Sequence, residues 1–282
     1  MTPQIILAVL CCLMLLGGRA QACTGVVLTG DGSVIVGKNE DWYYPYTRYR
    51  FQAAEGERHG YVVFGYWDDD EPAPEGGMND QGLVFDGFFA PEHKVAGQEG
   101  KPLFQRLPLF QSDLFEEVLA TCATVDEALA LFDHYSLVGM TKWQVLLADA
   151  QGNAVIFEGD FAYRMQGTWL VATNFRRSNT SEDEIACWYY LTAKEMIQDT
   201  PWADECNMRN ILAATHRDLS TGFPTLHSLV YNLSEKTIDV YYFHDLSKPV
   251  AELDLTETFP STEWDDMLGL FPEHPGERLP GQ

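Results

Sequence analysis

The chain has 282 residues, of which 42 are acidic and 18 basic, giving a formal net charge of −24. Such a surface repels phosphate backbones and anionic lipid, which excludes generic nucleic-acid binding and electrostatic adhesion to membranes. Seven Trp, 13 Tyr and 16 Phe supply enough apolar area for a packed core, which excludes a disordered chain.

The first element is a targeting segment. Ile5 to Leu16 is an unbroken apolar run, shorter than the roughly 20 residues that a membrane-spanning helix needs. Ala20-Gln21-Ala22 follows, and small residues at −3 and −1 match a secretory cleavage site. Cleavage between Ala22 and Cys23 predicts a secreted or periplasmic protein that begins with Cys23. No later stretch is apolar enough to span a membrane. Cys23 has three readings: a half-cystine, a lipid-anchored cysteine and an N-terminal nucleophile. A lipobox has Leu at −3 and a small residue at −2, where this chain has Ala20 and Gln21, so lipid anchoring ranks behind plain cleavage. If Cys23 is a free thiol, Cys122, Cys187 and Cys206 allow at most one bridge. Cys187 and Cys206, on neighbouring predicted helices, could form it.

Residues 23–28 and 33–36 read as a hairpin around Gly30-Asp31-Gly32. Gly37-Lys38-Asn39-Glu40-Asp41-Trp42 and an aromatic stretch follow. The composition predicts strands at 61–67 and 83–89, with an acidic, Pro-containing loop at 68–74 and a turn at Asn79-Asp80-Gln81-Gly82. Residues 98–108 read as loop. Helices are expected at 112–121 and 125–135, the second opened by a Thr124/Glu127 capping box. A hairpin is expected at 143–149 and 153–159, and a strand at 167–174. Ser181 with Glu184 is read as opening a helix that runs to 198, and a second helix covers 203–217. Strands at 225–232 and 237–243 close the chain before a loose Pro/Gly-rich tail from 272. With no βαβ alternation, no repeat and no composition break, the pattern predicts one α+β domain over 23–282, with largely antiparallel sheets.

A cysteine at the first position can carry its own base. An α-amino group has an ordinary pKa of about 8, so near neutral pH part of it is free amine and can take the thiol proton without a histidine. Such a site also needs an acid to hold the amine and donors that face an oxyanion.

Cys23-Thr24-Gly25, the hairpin and Gly37-Lys38-Asn39-Glu40-Asp41-Trp42 resemble the opening of the choloylglycine hydrolases. These linear-amide C–N hydrolases include bile-salt hydrolases and penicillin V acylases. Gly77-Met78-Asn79-Asp80-Gln81-Gly82-Leu83, Val171-Ala172-Thr173-Asn174-Phe175 and the strands at 225–232 and 241–244 resemble later segments of the family in the same order. The resemblance implies the four-layer α-β-β-α sandwich of the N-terminal-nucleophile (Ntn) hydrolases. It implies Cys23 as nucleophile and, through its amine, as base. It implies Asp41 as holder of that amine, Asn174 as oxyanion donor and Arg209 as an anchoring arginine. Lys38, Asn79, Trp42 and Phe89 are the corresponding substrate-facing candidates. The aromatics at 42–46, 66–67 and 88–89 are candidates for an acyl pocket, although ordinary core is the simpler reading for most of them.

The chain also departs from the pattern. Lys38 replaces the family's arginine, keeping the charge but losing the planar fork. Phe89 stands where bile-salt hydrolases carry an oxyanion-hole Asn, so only its backbone N–H could serve, and bile-salt specificity is put in doubt. The span from Asn174 to Arg209 is shorter than in the tetrameric Gram-positive members, which implies a reduced tetramer-building loop.

The seven histidines show no H-x-x-x-H or H-x-H spacing, so no metal site is expected. Asp68-Asp69-Asp70-Glu71 lacks the spacing of a calcium loop. The resulting expectation is a cofactor-free cysteine amidohydrolase acting on a small-molecule N-acyl amide through a thioester. An acyltransferase of the same fold and a non-catalytic lipoprotein anchored through Cys23 are the alternatives.

Overall fold

The computed structural model describes residues 23–42, 47–68, 71–96, 99–102 and 114–270. The expected leader, the aromatics at 43–46, most of the loop at 98–108 and the tail from 272 lie outside the described residues.

The chain opens with the hairpin β1 (Thr24–Gly30) and β2 (Ser33–Asp41). Asp31 and Gly32 connect them with φ of 51° and 84°, the left-handed pair whose twist matches that of the flanking strands. Strands β3 (Thr47–Gln52), β4 (Tyr61–Asp68), β5 (Glu71–Asn79) and β6 (Val84–Phe89) follow. Next come helices α1 (Leu114–Thr121) and α2 (Val125–Phe132) and strands β7 (Trp143–Ala148), β8 (Ala154–Phe157), β9 (Ala162–Arg164) and β10 (Trp169–Ala172). Helices α3 (Trp188–Asp199) and α4 (Glu205–Thr215) lead into β11 (Thr225–Asn232), β12 (Thr237–Tyr242), β13 (Ala251–Asp254) and β14 (Asp265–Asp266).

Two antiparallel sheets result. One has the order β10-β1-β2-β11-β12-β13 and the other β14-β3-β4-β5-β6-β7-β8-β9. Alternation along the strands decides which layer each residue meets. Cys23, just before β1, and Val27 enter the core between the sheets, while Val26 and Leu28 pack with Met208, Ile211 and Leu212 of α4. In the larger sheet, Phe64, Met78 and Leu146 face the smaller sheet, and Val63, Phe85 and Leu147 pack with Leu119 and Phe132 of α1 and α2. Each such buried apolar side chain contributes about 1.5–3 kcal/mol. The layers run α1/α2, large sheet, small sheet, α3/α4, which is the α-β-β-α sandwich. Among the described residues no helix is long and apolar enough to cross a membrane.

Three expectations change. The loop at 68–74 is largely the start of β5. Pro72 and Pro74 pair with Trp67 and Gly65 of β4, past a register shift, whereas β6 pairs only with Gly76 to Met78. The proline stretch is therefore a local edge, where a missing N–H costs no ladder bond. The helix expected from 181 begins at Trp188. The Ser181/Glu184 capping box is real, but it caps a single 3₁₀ turn at Glu182–Glu184, and Ile185 and Cys187 are extended. Cys187 and Cys206 are both free. They sit at the N-termini of successive helices joined by a short connection, so the length of α3, about 18 Å at 1.5 Å per residue, keeps them apart.

Candidate active site

Cys23 stands immediately before β1, inside the small sheet and 5% exposed. Gly25 lets it lie close to the large sheet: a Cβ at residue 25 would come within 2.5 Å of the Phe88 ring. The β1/β10 register pairs Gly25 with Ala172, and carried two residues on it sets Asn174 opposite Cys23. The β1/β2 register pairs Thr24 with Asn39, which sets Glu40 on the other side. The thiol lies 3.7 and 3.8 Å from the two Glu40 carboxylate oxygens and 3.9 Å from the Asp41 carbonyl oxygen.

Alternation along β2 separates its polar residues. Lys38 and Glu40 share the inter-sheet side with Cys23, while Asn39 faces α4, where its amide donates to the Leu212 carbonyl at 2.9 Å. The Lys38 ammonium crosses between the sheets to Asp86, donates to the Gly87 carbonyl at 3.2 Å and lies 3.1 Å from Glu40. It also stands 4.6 Å from the Phe88 ring centroid. Lys38 is thus a buried cation shared by two carboxylates.

That sharing sets the local electrostatics. Burial opposes the charge on Lys38, but Asp86 and Glu40 outweigh it and hold the ammonium well above its ordinary range. Burial also opposes the charge on Glu40, yet Lys38, His227 and a hydrogen bond with Glu75 keep it low. Glu75, the partner in that hydrogen bond, is pushed well up by burial and by Glu40. Asp86 is pushed up to about 7, chiefly by burial, because Lys38 offsets only part of its cost. His227 is lowered to about 4 by burial and is neutral. The Cys23 thiol is pushed well up by burial and then by Glu40, with Lys38 opposing and Asp41 and Glu75 adding. In the chain as it stands the sulfur is therefore a thiol.

Asp41 is fully buried. Thr225 donates to its Oδ1 at 2.5 Å, and Oδ2 has no partner. Burial is the main cause that pushes this carboxyl well up; Glu40 adds to it, and Arg217 and Lys38 oppose. Asn174 donates one amide hydrogen to the Phe89 carbonyl at 2.7 Å, and its buried Oδ1 has no partner. Phe89 thus holds Asn174 through its carbonyl. The Phe89 ring joins a half-buried aromatic wall. It stacks on Trp42 at 5.3 Å and 3° and lies 3.9 Å from Trp143, while Trp42 continues to Tyr66 at 6.1 Å and Phe223 at 6.5 Å.

Two candidate residues are placed elsewhere. Asn79 donates to the Leu119 and Cys122 carbonyls at 2.7 Å each, and its Oδ1 accepts from Gln81 and Leu83 N–H at 3.1 and 2.9 Å. With both ends of the amide committed to fastening the end of α1 and the β5–β6 turn, it has nothing left for a substrate. Arg209 lies along α4, donating to the Glu205 carbonyl at 3.4 Å, with Asp239 and Tyr241 as its electrostatic neighbours. The arginine whose charge reaches Asp41 is Arg217, just past α4, whose N–H donates to Thr225 Oγ1 at 2.8 Å. Sequence reading also missed Glu40, Glu75, Asp86 and His227. Glu40 could have been found from the hairpin register, since the Asp31-Gly32 turn sets it opposite Cys23; the other three come from strands whose pairing the sequence does not declare.

Two antiparallel sheets stacked between two helix pairs are the fold of the Ntn-hydrolase class. Residues 27–174 match the model of the acyl-coenzyme A:6-aminopenicillanic acid acyl-transferase family, and the chain belongs to that family. Cys23 lies just ahead of the matched span. Among solved structures the fold is similar to a mutant of conjugated bile acid hydrolase from Clostridium perfringens, with TM-score 0.61 and 15% identity over 86% of this chain and 97% of that one. It is also similar to penicillin V acylase from Agrobacterium tumefaciens, with TM-score 0.54 and 13% identity over 87% of this chain and 86% of that one. A Caenorhabditis elegans ortholog of N-acylethanolamine-hydrolyzing acid amidase aligns with TM-score 0.52 and 15% identity over 75% of this chain and 93% of that one. No curated protein sequence matches the chain.

Proposed function

We propose that the protein is an exported cysteine amidohydrolase that cleaves the C–N bond of a linear N-acyl amide, with Cys23 as nucleophile after cleavage at Ala22-Cys23. The observation that carries this reading is the unpartnered, buried Asp41 Oδ2, on the residue whose carbonyl lies 3.9 Å from the Cys23 thiol. An ammonium freed at Cys23 would pair with that oxygen and offset the burial that pushes Asp41 up, with Arg217 and Thr225 holding the carboxylate in place. In its amine form the same nitrogen takes the thiol proton. The thiolate attacks the acyl carbon, Asn174 steadies the oxyanion, and the C–N bond breaks as the departing amine takes the proton. Water then splits the thioester. The aromatic wall from Tyr66 through Trp42 and Phe89 to Trp143 receives the acyl group.

The burial of Cys23 between two sheets speaks against the lipoprotein alternative, because an acylated sulfur would have to displace Glu40. The family's acyl-transferase name favours a second reading, in which an amine replaces water in the last step. The test incubates the exported form with penicillin V, conjugated bile salts, N-acyl homoserine lactones, N-acyl amino acids and N-acylethanolamines. Amine release and an acyl-thioester mass on Cys23 are expected. A mature chain that starts elsewhere, or carries lipid on Cys23, would sink the proposal, and acyl transfer to an added amine in preference to water would select the second reading.

A further inference from the structure

His216, Asp218 and His244 lie apart from the thiol cluster, at the end of α4 and just past β12. One ring nitrogen of each histidine and one Asp218 carboxylate oxygen lie within 4.8 Å of one another. His216 Nε2 is 3.5 Å from Asp218 Oδ1, and the two imidazole centroids are 4.3 Å apart at 47°.

The far side of each ring is fixed. His216 Nδ1 meets the Ala213 carbonyl at 2.6 Å, and His244 Nε2 meets the Arg217 carbonyl at 2.9 Å. A carbonyl oxygen only accepts, so each of those nitrogens carries the ring hydrogen. The other nitrogen of each neutral ring, Nε2 of His216 and Nδ1 of His244, then keeps its lone pair. A backbone carbonyl holding one nitrogen while the other is left as a donor is the arrangement that orients metal-binding histidines. Phe243, with φ of 52°, stacks its ring on His244 at 3.7 Å and 15° and restricts the ring further.

We propose that His216, Asp218 and His244 form a binding site for a divalent transition metal, zinc(II) in the first instance. Two imidazole nitrogens and a carboxylate suit a borderline cation, and three protein ligands leave a position open for water. The metal would join the α4–β11 connection to the end of β12. Arg217 sits between the two ligands of that connection and is the arginine whose charge reaches Asp41, so occupancy would clamp a segment behind the proposed active site. Sequence spacing gave no sign of this site because the two histidines belong to different elements.

The test is equilibrium dialysis of the chelator-stripped full chain against zinc(II), with bound metal measured by mass spectrometry and thermal unfolding followed alongside. Cobalt(II) serves as a spectroscopic substitute. One equivalent per chain, a raised Tm and visible d–d bands of low-symmetry cobalt are expected. His216→Ala and His244→Ala should each weaken binding at least about tenfold. His93→Ala, which alters a His–Asp pair 3.7 Å apart that belongs to no three-ligand group among the described residues, should leave binding unchanged. Asp218→Asn tests the exposed ligand without touching a buried side chain. Absence of stoichiometric uptake by the native chain, or uptake undiminished in the folded His216→Ala/His244→Ala double variant, would overturn the proposal.

Discussion

Asn79 and Asn174 both stand where a strand of the sandwich ends, and the two environments treat them differently. Asn79 spends donor and acceptor on four backbone groups. Asn174 makes one bond to Phe89 and keeps a buried oxygen unpaired. The same contrast separates Asn39 from the residues beside the thiol. On the helix side, Asn39 closes its bonds with Leu212, Thr215 and Ser228. Around Cys23, Thr24 Oγ1, Asp41 Oδ2 and Gln144 Oε1 have no partner. An unpaired buried polar atom costs about 1–3 kcal/mol. The unpaired oxygens beside the thiol are where a bound ligand can complete the bonding.

The largest test of that contrast is the thiol itself. Cys23→Ser should lower amide turnover by about a thousandfold or more with an unchanged circular dichroism spectrum. Turnover retained within tenfold would remove the thiol cluster from the chemistry. Next come the two asparagines, which should fail in opposite ways. Asn174→Ala should lower kcat by about 10²–10³ with little change in Tm. Asn79→Ala should cost about 3 kcal/mol in urea unfolding while the folded fraction keeps its kcat. Exchanged outcomes would reverse the assignment.

A pH experiment probes the buried charges. With His227 at about 4 in the folded protein against about 6.5 unfolded, the unfolded chain alone takes up this proton between those values. Its effect on stability is therefore absent above 6.5 and grows more unfavourable as pH falls towards 4. Asp86, at about 7 folded against about 3.9 unfolded, has the opposite slope, since the folded chain holds the extra proton. The stability of His227→Gln relative to the native protein should thus improve as pH drops from 6.5 to 4, by a total on the order of 3 kcal/mol. Parallel urea midpoints across that range would show His227 to be ionised or exposed. The smallest expected effect separates the arginines. Arg217→Ala should lower kcat/KM by about tenfold through Asp41, and Arg209→Ala should stay within about twofold. The reverse order would restore Arg209 to the site.

The sequence made much of the frame legible. The Asp31-Gly32 turn, the alternation of β1 and β2, the 143–157 hairpin and the Thr124/Glu127 cap are local signals, and each appears where the residues put it. Ser181/Glu184 shows how such a signal misleads: the cap forms, but nothing beyond a single turn follows it. The proline stretch misled for a related reason, because whether a strand tolerates proline depends on which neighbour it has, and that neighbour is distant in sequence.

What the residues alone determined was the class of the fold and the thiol, carboxylate and amide of the candidate site, since each occupies a stretch with its own pattern. Only the tertiary structure decided which arginine's charge reaches Asp41, that Asn79 is a fastener, that Glu40, Glu75, Asp86 and His227 gather with Lys38 in one buried cluster, and that two distant histidines meet. Burial and charge are properties of the assembled layers. A strand's alternation states that a side chain points inward, and only the opposing sheet determines which atoms it finds there.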